Sequence, residues 1–184
     1  MFAQHMSLES GMSLCEMGSA NGAVISRLGQ KVMPGGKLYA TAPLEAELAA
    51  TRTAVADAGL GGVATYKATD ASWAPGLLPG SCDVIYSRMV YHMISKDVVA
   101  AYIPQWAAAL KPGGKLFMAD HNPLDGGIDG PRRPIGVVLG IGLMPVVPSL
   151  TEIDEIVAGG FELLDGPIEW PYYSGGYAAL YAPA

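Results

Sequence analysis

The sequence predicts an α/β domain built on a mostly parallel sheet, with an antiparallel pair of strands at one edge. Three observations lead there. Five short apolar runs are each followed by a segment of helical spacing, the alternation of parallel α/β proteins. The last two apolar runs, Phe161–Leu164 and Tyr177–Tyr181, are joined by a connection without helical pattern, so they pair at the edge. With 184 residues, 51% of them hydrophobic and 15% charged, the chain can bury a sizeable core in one domain, 1–184, without repeats or linker.

Each element has its own signal. Met1–Ser10 is weakly patterned, and Leu14–Met17 is the first strand. Ala20–Lys31 is the helix behind it, with Val24, Ile25 and Leu28 on one face. Pro34-Gly35-Gly36 turns the chain into strand two, Lys37–Thr41. Pro43 suits the first turn of the next helix, whose stripe of Leu44, Leu48 and Val55 runs to Gly59. Gly61-Gly62 leads to strand three, Val63–Lys67, which ends near Asp70. A loop marked by Pro75, Gly76, Pro79 and Gly80 precedes strand four, Asp83–Ser87. Asp97 caps a helix running to Leu110, and Pro104 kinks or restarts it. Lys111-Pro112-Gly113-Gly114 turns into strand five, Lys115–Asp120. No period is clean between His121 and Pro148. Ser149-Leu150-Thr151-Glu152 is a capping box for a helix that Gly159-Gly160 closes.

Composition excludes several functions. A net charge of −6, with Arg132-Arg133 as the one adjacent basic pair, disfavours a nucleic-acid partner, which needs a clustered basic surface. Cys15 and Cys82 are expected as free, buried, hydrophobe-like residues, which fits a reducing, cytoplasmic setting. Met1–Gly11 lacks the basic start and apolar run of a signal peptide. The uncharged stretch between Arg133 and Glu152 is broken by Gly136, Gly140, Gly142, Pro145 and Pro148, so no membrane span is expected. No metal site is expected.

The chemistry concentrates where strand one meets its turn. Glu16-Met17-Gly18-Ser19-Ala20-Asn21-Gly22 runs strand, glycine turn and helix together, the arrangement that brings a helix N-terminus to a ligand. Its glycines are four apart, which does not match the dinucleotide fingerprint, and Glu16 would repel a pyrophosphate. Leu110–Leu116, Asp83–Ser87 and Tyr91-His92 follow at further intervals. On these residues the chain resembles the class I S-adenosylmethionine-dependent methyltransferases, over most of 11–120. Glu16–Gly22 looks like their acid-x-G-x-G-x-G motif with Ala20 at the middle glycine, and Leu110–Leu116 looks like the turn before their fifth strand. The resemblance implies a three-layer sandwich around a mostly parallel seven-stranded sheet with a C-terminal antiparallel hairpin. It implies S-adenosylmethionine as cofactor, S-adenosylhomocysteine as product, and methyl transfer to a small-molecule acceptor.

It also assigns residues. Glu16 would act on the methionine moiety, with Gly18, Ser19, Ala20, Asn21 and Gly22 forming the turn against the cofactor, or Glu16 would simply anchor that turn. Asp70 would meet the adenine amine, with Ala71 offering its backbone N–H, or Asp70 would cap a loop. Ser87 and Arg88 join the site from the end of strand four. The family's ribose-binding acid at the end of strand two falls on Ala42 here, with Thr41 and Glu45 as substitutes. Methyl transfer needs alignment and exclusion of water, and a base where the acceptor must lose a proton. His92 and His121, with Tyr91 nearby, stand at strand ends for that role, or His92 packs under the next helix and His121 anchors a turn.

The segment 121–148 is read as a substrate insert or as the interface of a homodimer, and Trp170, Tyr172 and Tyr173 as neighbours of the same mouth or as interior packing. A rival reading is a weakly active or inactive binding protein on the same scaffold, favoured by Ala42. An NAD-dependent oxidoreductase ranks third, because the glycine spacing is wrong.

Overall fold

Alternation along the strands sorts the apolar residues into two sets, and the structure places the sets on opposite faces of one sheet. It is a computed structural model describing residues 2–121, 149–170 and 176–184. A short helix α1 (Phe2–His5) precedes β1 (Ser13–Met17), then α2 (Ala23–Val32), β2 (Lys37–Ala42), α3 (Glu45–Asp57) and β3 (Ala64–Lys67). After these come β4 (Cys82–Arg88), a 3₁₀ turn (Tyr91–Met93), α4 (Lys96–Ala109), β5 (Leu110–His121), α5 (Ser149–Ala158), β6 (Phe161–Trp170) and β7 (Gly176–Pro183).

The seven strands form one sheet in the order β3-β2-β1-β4-β5-β7-β6. Pairings among β1 to β5 are parallel, and β7 runs antiparallel to both β5 and β6. The α/β sheet and the terminal hairpin expected from sequence are both present. On one face Leu14, Leu38, Val84 and Phe117 pack with Ile25, Leu28 and Val32 of α2, Val55 of α3 and Met6. On the other, Met17, Ile85, Leu116 and Met118 pack with Val99, Ile103 and Trp106 of α4 and Ile153 and Ile156 of α5. Three layers result. Glu16 shares the face of Leu14, a carboxylate in an apolar layer and 3% exposed.

Several expectations need correction. Leu44 is not part of the buried stripe of α3. It precedes the helix and is exposed, while Leu48, Thr51 and Val55 turn inward. The turn Lys111–Gly114 is incorporated into β5, which begins at Leu110, and Ser95 rather than Asp97 holds the N-cap position of α4, without a side-chain cap hydrogen bond. Pro104 sits inside α4 without ending it. α5 starts at Ser149 as expected, but its capping side chains lie outside the described residues, as do Asn122 to Pro148, Tyr172 and Tyr173.

The cysteines are not free. Cys15 and Cys82 form a disulfide between neighbouring strands β1 and β4, with Cα atoms 6.0 Å apart. Parallel pairing of two strands far apart in sequence brought them within bonding distance. Among the described residues no helix is long and apolar enough to cross a membrane, and no group of three or more side chains is arranged to hold a metal ion.

The amino ends of the strands are fastened by charge. Asp83 accepts from the Ser13 amide at 2.7 Å and from the Lys111 ammonium, linking β1, β4 and β5. Nearby, Gly36 leaves no room for a side chain: an added Cβ would lie 2.6 Å from the Met12 carbonyl oxygen and closer still to that of Val32. Gly36→Ala is therefore expected to destabilise the protein by about 2 kcal/mol, the scale of overpacking against backbone. Urea denaturation would show this as a lowered midpoint at unchanged slope.

Candidate functional site

β1 has β2 on one side and β4 on the other, so the sheet's connections diverge at its carboxyl end. Such a switch point opens a crevice. Here it holds a cavity of about 870 Å³, within the usual range for a small-molecule site. Residues from the ends of β1, β2, β3 and β4 line it, together with α2, α3 and α4.

The turn after β1 is held by its own hydrogen bonds. Gly18 and Ser19 both donate their amides to the Thr41 carbonyl, at 3.0 and 2.9 Å, and the Gly22 amide donates to Ser19 O at 2.7 Å. Gly18, Ala20 and Gly22 have positive φ, at 75°, 46° and 74°, which explains why glycine suits each position. Asn21 Oδ1 accepts from the Ala23 amide, and the Thr51 hydroxyl reaches Ser19 Oγ at 2.9 Å from α3. Three of the turn's backbone N–H groups are thus engaged inside the fold. A turn so closed, with an acid before it, is no phosphate cradle.

Three carboxylates face the cavity: Glu16 from β1, Asp70 after β3, and Glu47 from α3. Burial pushes the Glu16 carboxyl up to about 8, partly offset by a hydrogen bond from the Ile25 amide and by the Arg88 charge. Glu16 Oε2 and Glu47 Oε2 are buried with no hydrogen-bond partner among the described residues. Burial, and the Glu16 charge after it, raise the Tyr86 phenol, which packs below them. Tyr102 donates its hydroxyl to Thr69 O at 2.6 Å and so fixes the turn carrying Asp70. Trp73, Met89, Val90, Met93, Ile94 and Val98 add an apolar surface to the lining.

Of the residues expected in the site, Glu16, Gly18, Ser19, Ala20, Asn21, Thr41, Ala42, Asp70 and Arg88 line the cavity. The others do not. Gly22 is packed against α3, and the Ala71 carbonyl accepts from Gln105 of α4. Ser87 is buried within β4, and Glu45 pairs with Arg52 at 2.7 Å on the surface. Tyr91 is a core residue whose hydroxyl donates to Glu155 of α5 at 2.7 Å. His92 is buried between Val90 and Met93, with its backbone amide and its Nδ1 both on the Asp120 carboxylate. A carboxylate only accepts, so in the neutral ring Nδ1 holds the proton and Nε2 the lone pair. His121 closes β5 opposite Gly176, and its side chain is outside the described residues.

Sequence reasoning missed Glu47, and a signal was there. Glu47, Thr51 and Val55 are spaced by four, so they lie on one stripe of α3, and the last two are buried. Glu45 stands about 200° around the helix from Glu47 and points elsewhere.

A family model described as a methyltransferase domain matches residues 14–114, more than half of the chain and all of the strands that form the cavity. The chain belongs to the class I S-adenosylmethionine-dependent methyltransferases. No curated protein sequence matches it. Solved structures share the methyltransferase fold at low identity. A SAM-dependent methyltransferase from Aquifex aeolicus aligns over 97% of this chain and 87% of its own, with 19% identity and a TM-score of 0.70. The PH0226 protein from Pyrococcus horikoshii aligns over 100% and 86%, with 12% identity and a TM-score of 0.76. Fibrillarin from Aeropyrum pernix, solved with S-adenosylmethionine natively bound, aligns over 95% and 68%, with 18% identity and a TM-score of 0.66.

The cofactor of this family suits what the cavity offers. S-adenosylmethionine carries a sulfonium and an ammonium and no phosphate, and three carboxylates face the cavity. Two of their oxygens are buried acceptors that lack a donor among the described residues.

Proposed function

We propose that this methyltransferase passes a methyl group from S-adenosylmethionine to a small-molecule acceptor held against the apolar wall beyond Arg88. The observation that supports it most is a single cavity lined both by three carboxylates and by apolar side chains that follow β4 into α4. Glu16 serves the methionine moiety and Asp70 the adenine amine, with the turn 18–21 between them. The bound cofactor supplies an activated methyl group. What the protein contributes is alignment and exclusion of water by Val90, Met93, Ile94 and Val98. A net charge of −6 favours a small acceptor over a nucleic acid.

His92, held inward on Asp120 and outside the cavity lining, secures the turn after β4 rather than acting as a base.

The reading as a whole is tested by calorimetric titration with S-adenosylmethionine and S-adenosylhomocysteine, followed by methylation of a panel of phenols, thiols and amines. Binding of neither compound would sink it. Ala42 supports a second reading, a binding protein that holds cofactor without turnover. Cofactor binding with no product from any acceptor would favour that one.

A further inference from the structure

We infer that Glu47, carried on helix α3, takes the two ribose hydroxyls of the cofactor, the contact for which strand β2 supplies no acid. The inference rests on the cofactor reading above and goes beyond it by assigning a residue that lies outside both the glycine turn and the strand ends.

Four observations converge. Strand β2 ends at Ala42, a cavity-lining residue that offers no polar side chain. Glu47, in the first turn of α3, lines the same cavity, and its buried Oε2 has no donor among the described residues. A carboxylate accepts and does not donate, so the missing partner must bring hydrogen, as a vicinal diol does twice over.

The other groups that could serve are engaged. Glu45 is held by Arg52, which also donates to Thr65 at 2.7 Å, on the outer side of α3. The Thr41 hydroxyl lies 3.4 Å from the Glu16 carbonyl oxygen, turned toward β1.

The order of the acids along the sheet edge is the fourth observation. In the order β3-β2-β1, Asp70 follows β3, Glu47 follows β2 and Glu16 is near the end of β1. An adenosine extended by methionine presents its donors in the same sequence: exocyclic amine, ribose diol, ammonium. Neighbouring strands are about 4.8 Å apart, so the middle acid falls where the middle donors must be. Moving the acid from the strand end to the helix keeps the contact and changes the element that delivers it.

The test compares S-adenosylhomocysteine with its 2′,3′-dideoxy analogue by calorimetry. Wild type is expected to bind the parent at least tenfold more tightly than the analogue. Glu47→Ala is expected to bind the two within a factor of about two of each other, and Glu47→Gln to fall between, since an amide keeps only one of the two accepting oxygens. Adding Ala42→Asp to Glu47→Ala is expected to restore the preference from the strand end.

A Glu47→Ala protein that keeps the full wild-type preference overturns the assignment while leaving the cofactor reading intact. Wild type that binds neither compound overturns both. Thermal melting without ligand shows whether each variant is folded. If Glu47→Ala is not, the comparison rests on Glu47→Gln, whose unchanged preference would equally overturn the assignment.

Discussion

Glu16→Gln is expected to melt higher than wild type at neutral pH and to lose most of its affinity for S-adenosylmethionine. Both effects have one cause. Burial holds the folded carboxyl at about 8 against 4.5 in the unfolded chain. Between those values the folded state keeps a proton that the unfolded state releases, so stability falls as pH rises from about 4.5 through 8. At about 1.4 kcal/mol per unit, the wild-type penalty at pH 7 is roughly 3 kcal/mol, and a neutral amide avoids it. Serving a cationic ligand asks the opposite of this residue. Glu16 must ionise when the ammonium arrives, so binding below pH 8 expels a proton and tightens with rising pH by up to about tenfold per unit. Calorimetry in buffers of different ionisation enthalpy would measure that proton. An affinity flat between pH 6 and 8, or a variant that melts lower than wild type, would contradict this account.

Gly22→Ala is expected to be the most damaging single substitution in the glycine turn. The residue has φ 74° at the start of α2, and an added Cβ would lie 2.6 Å from Thr51 Cα and 3.1 Å from Ala54 Cβ. Backbone on α3 cannot rotate away as a side chain would, so the two helices would have to separate. Left-handed strain of about 1 kcal/mol adds to overpacking of up to about 3 kcal/mol. Separation would also break the 2.9 Å hydrogen bond between Thr51 and Ser19 and loosen the cavity floor. Urea denaturation should show a loss of about 3 kcal/mol or more, with weakened S-adenosylhomocysteine binding alongside. A loss under about 1 kcal/mol would mean that α2 and α3 can part without harm.

Much of this was legible in the residues. Glu16–Gly22 could be read because a buried run ending in an acid and widely spaced glycines admits few ligands. The parallel order followed from strand and helix periods, and the terminal hairpin from the connection between its last two strands having no helical pattern. Other features were hidden for physical reasons. Glu45 drew attention because it stands three residues beyond Ala42, whereas Glu47 is the residue on the stripe of Thr51 and Val55. Tyr91 and His92 were correctly placed near a strand end, but that they turn inward depends on Glu155 and Asp120, partners that 64 and 28 residues of separation conceal. The Cys15–Cys82 bond depends on β4 lying beside β1, which no spacing in the chain encodes.

Helix α3 turns only Leu48, Thr51 and Val55 of its thirteen residues into the core. It buries fewer residues than α2 or α4, the other long helices around the cavity, yet it carries Glu47. Cofactor is then part of the helix's own tertiary contact, and the amides of 48–57 should exchange with deuterium by local opening in the free protein and slow most on binding. The ligand and this helix would then order each other.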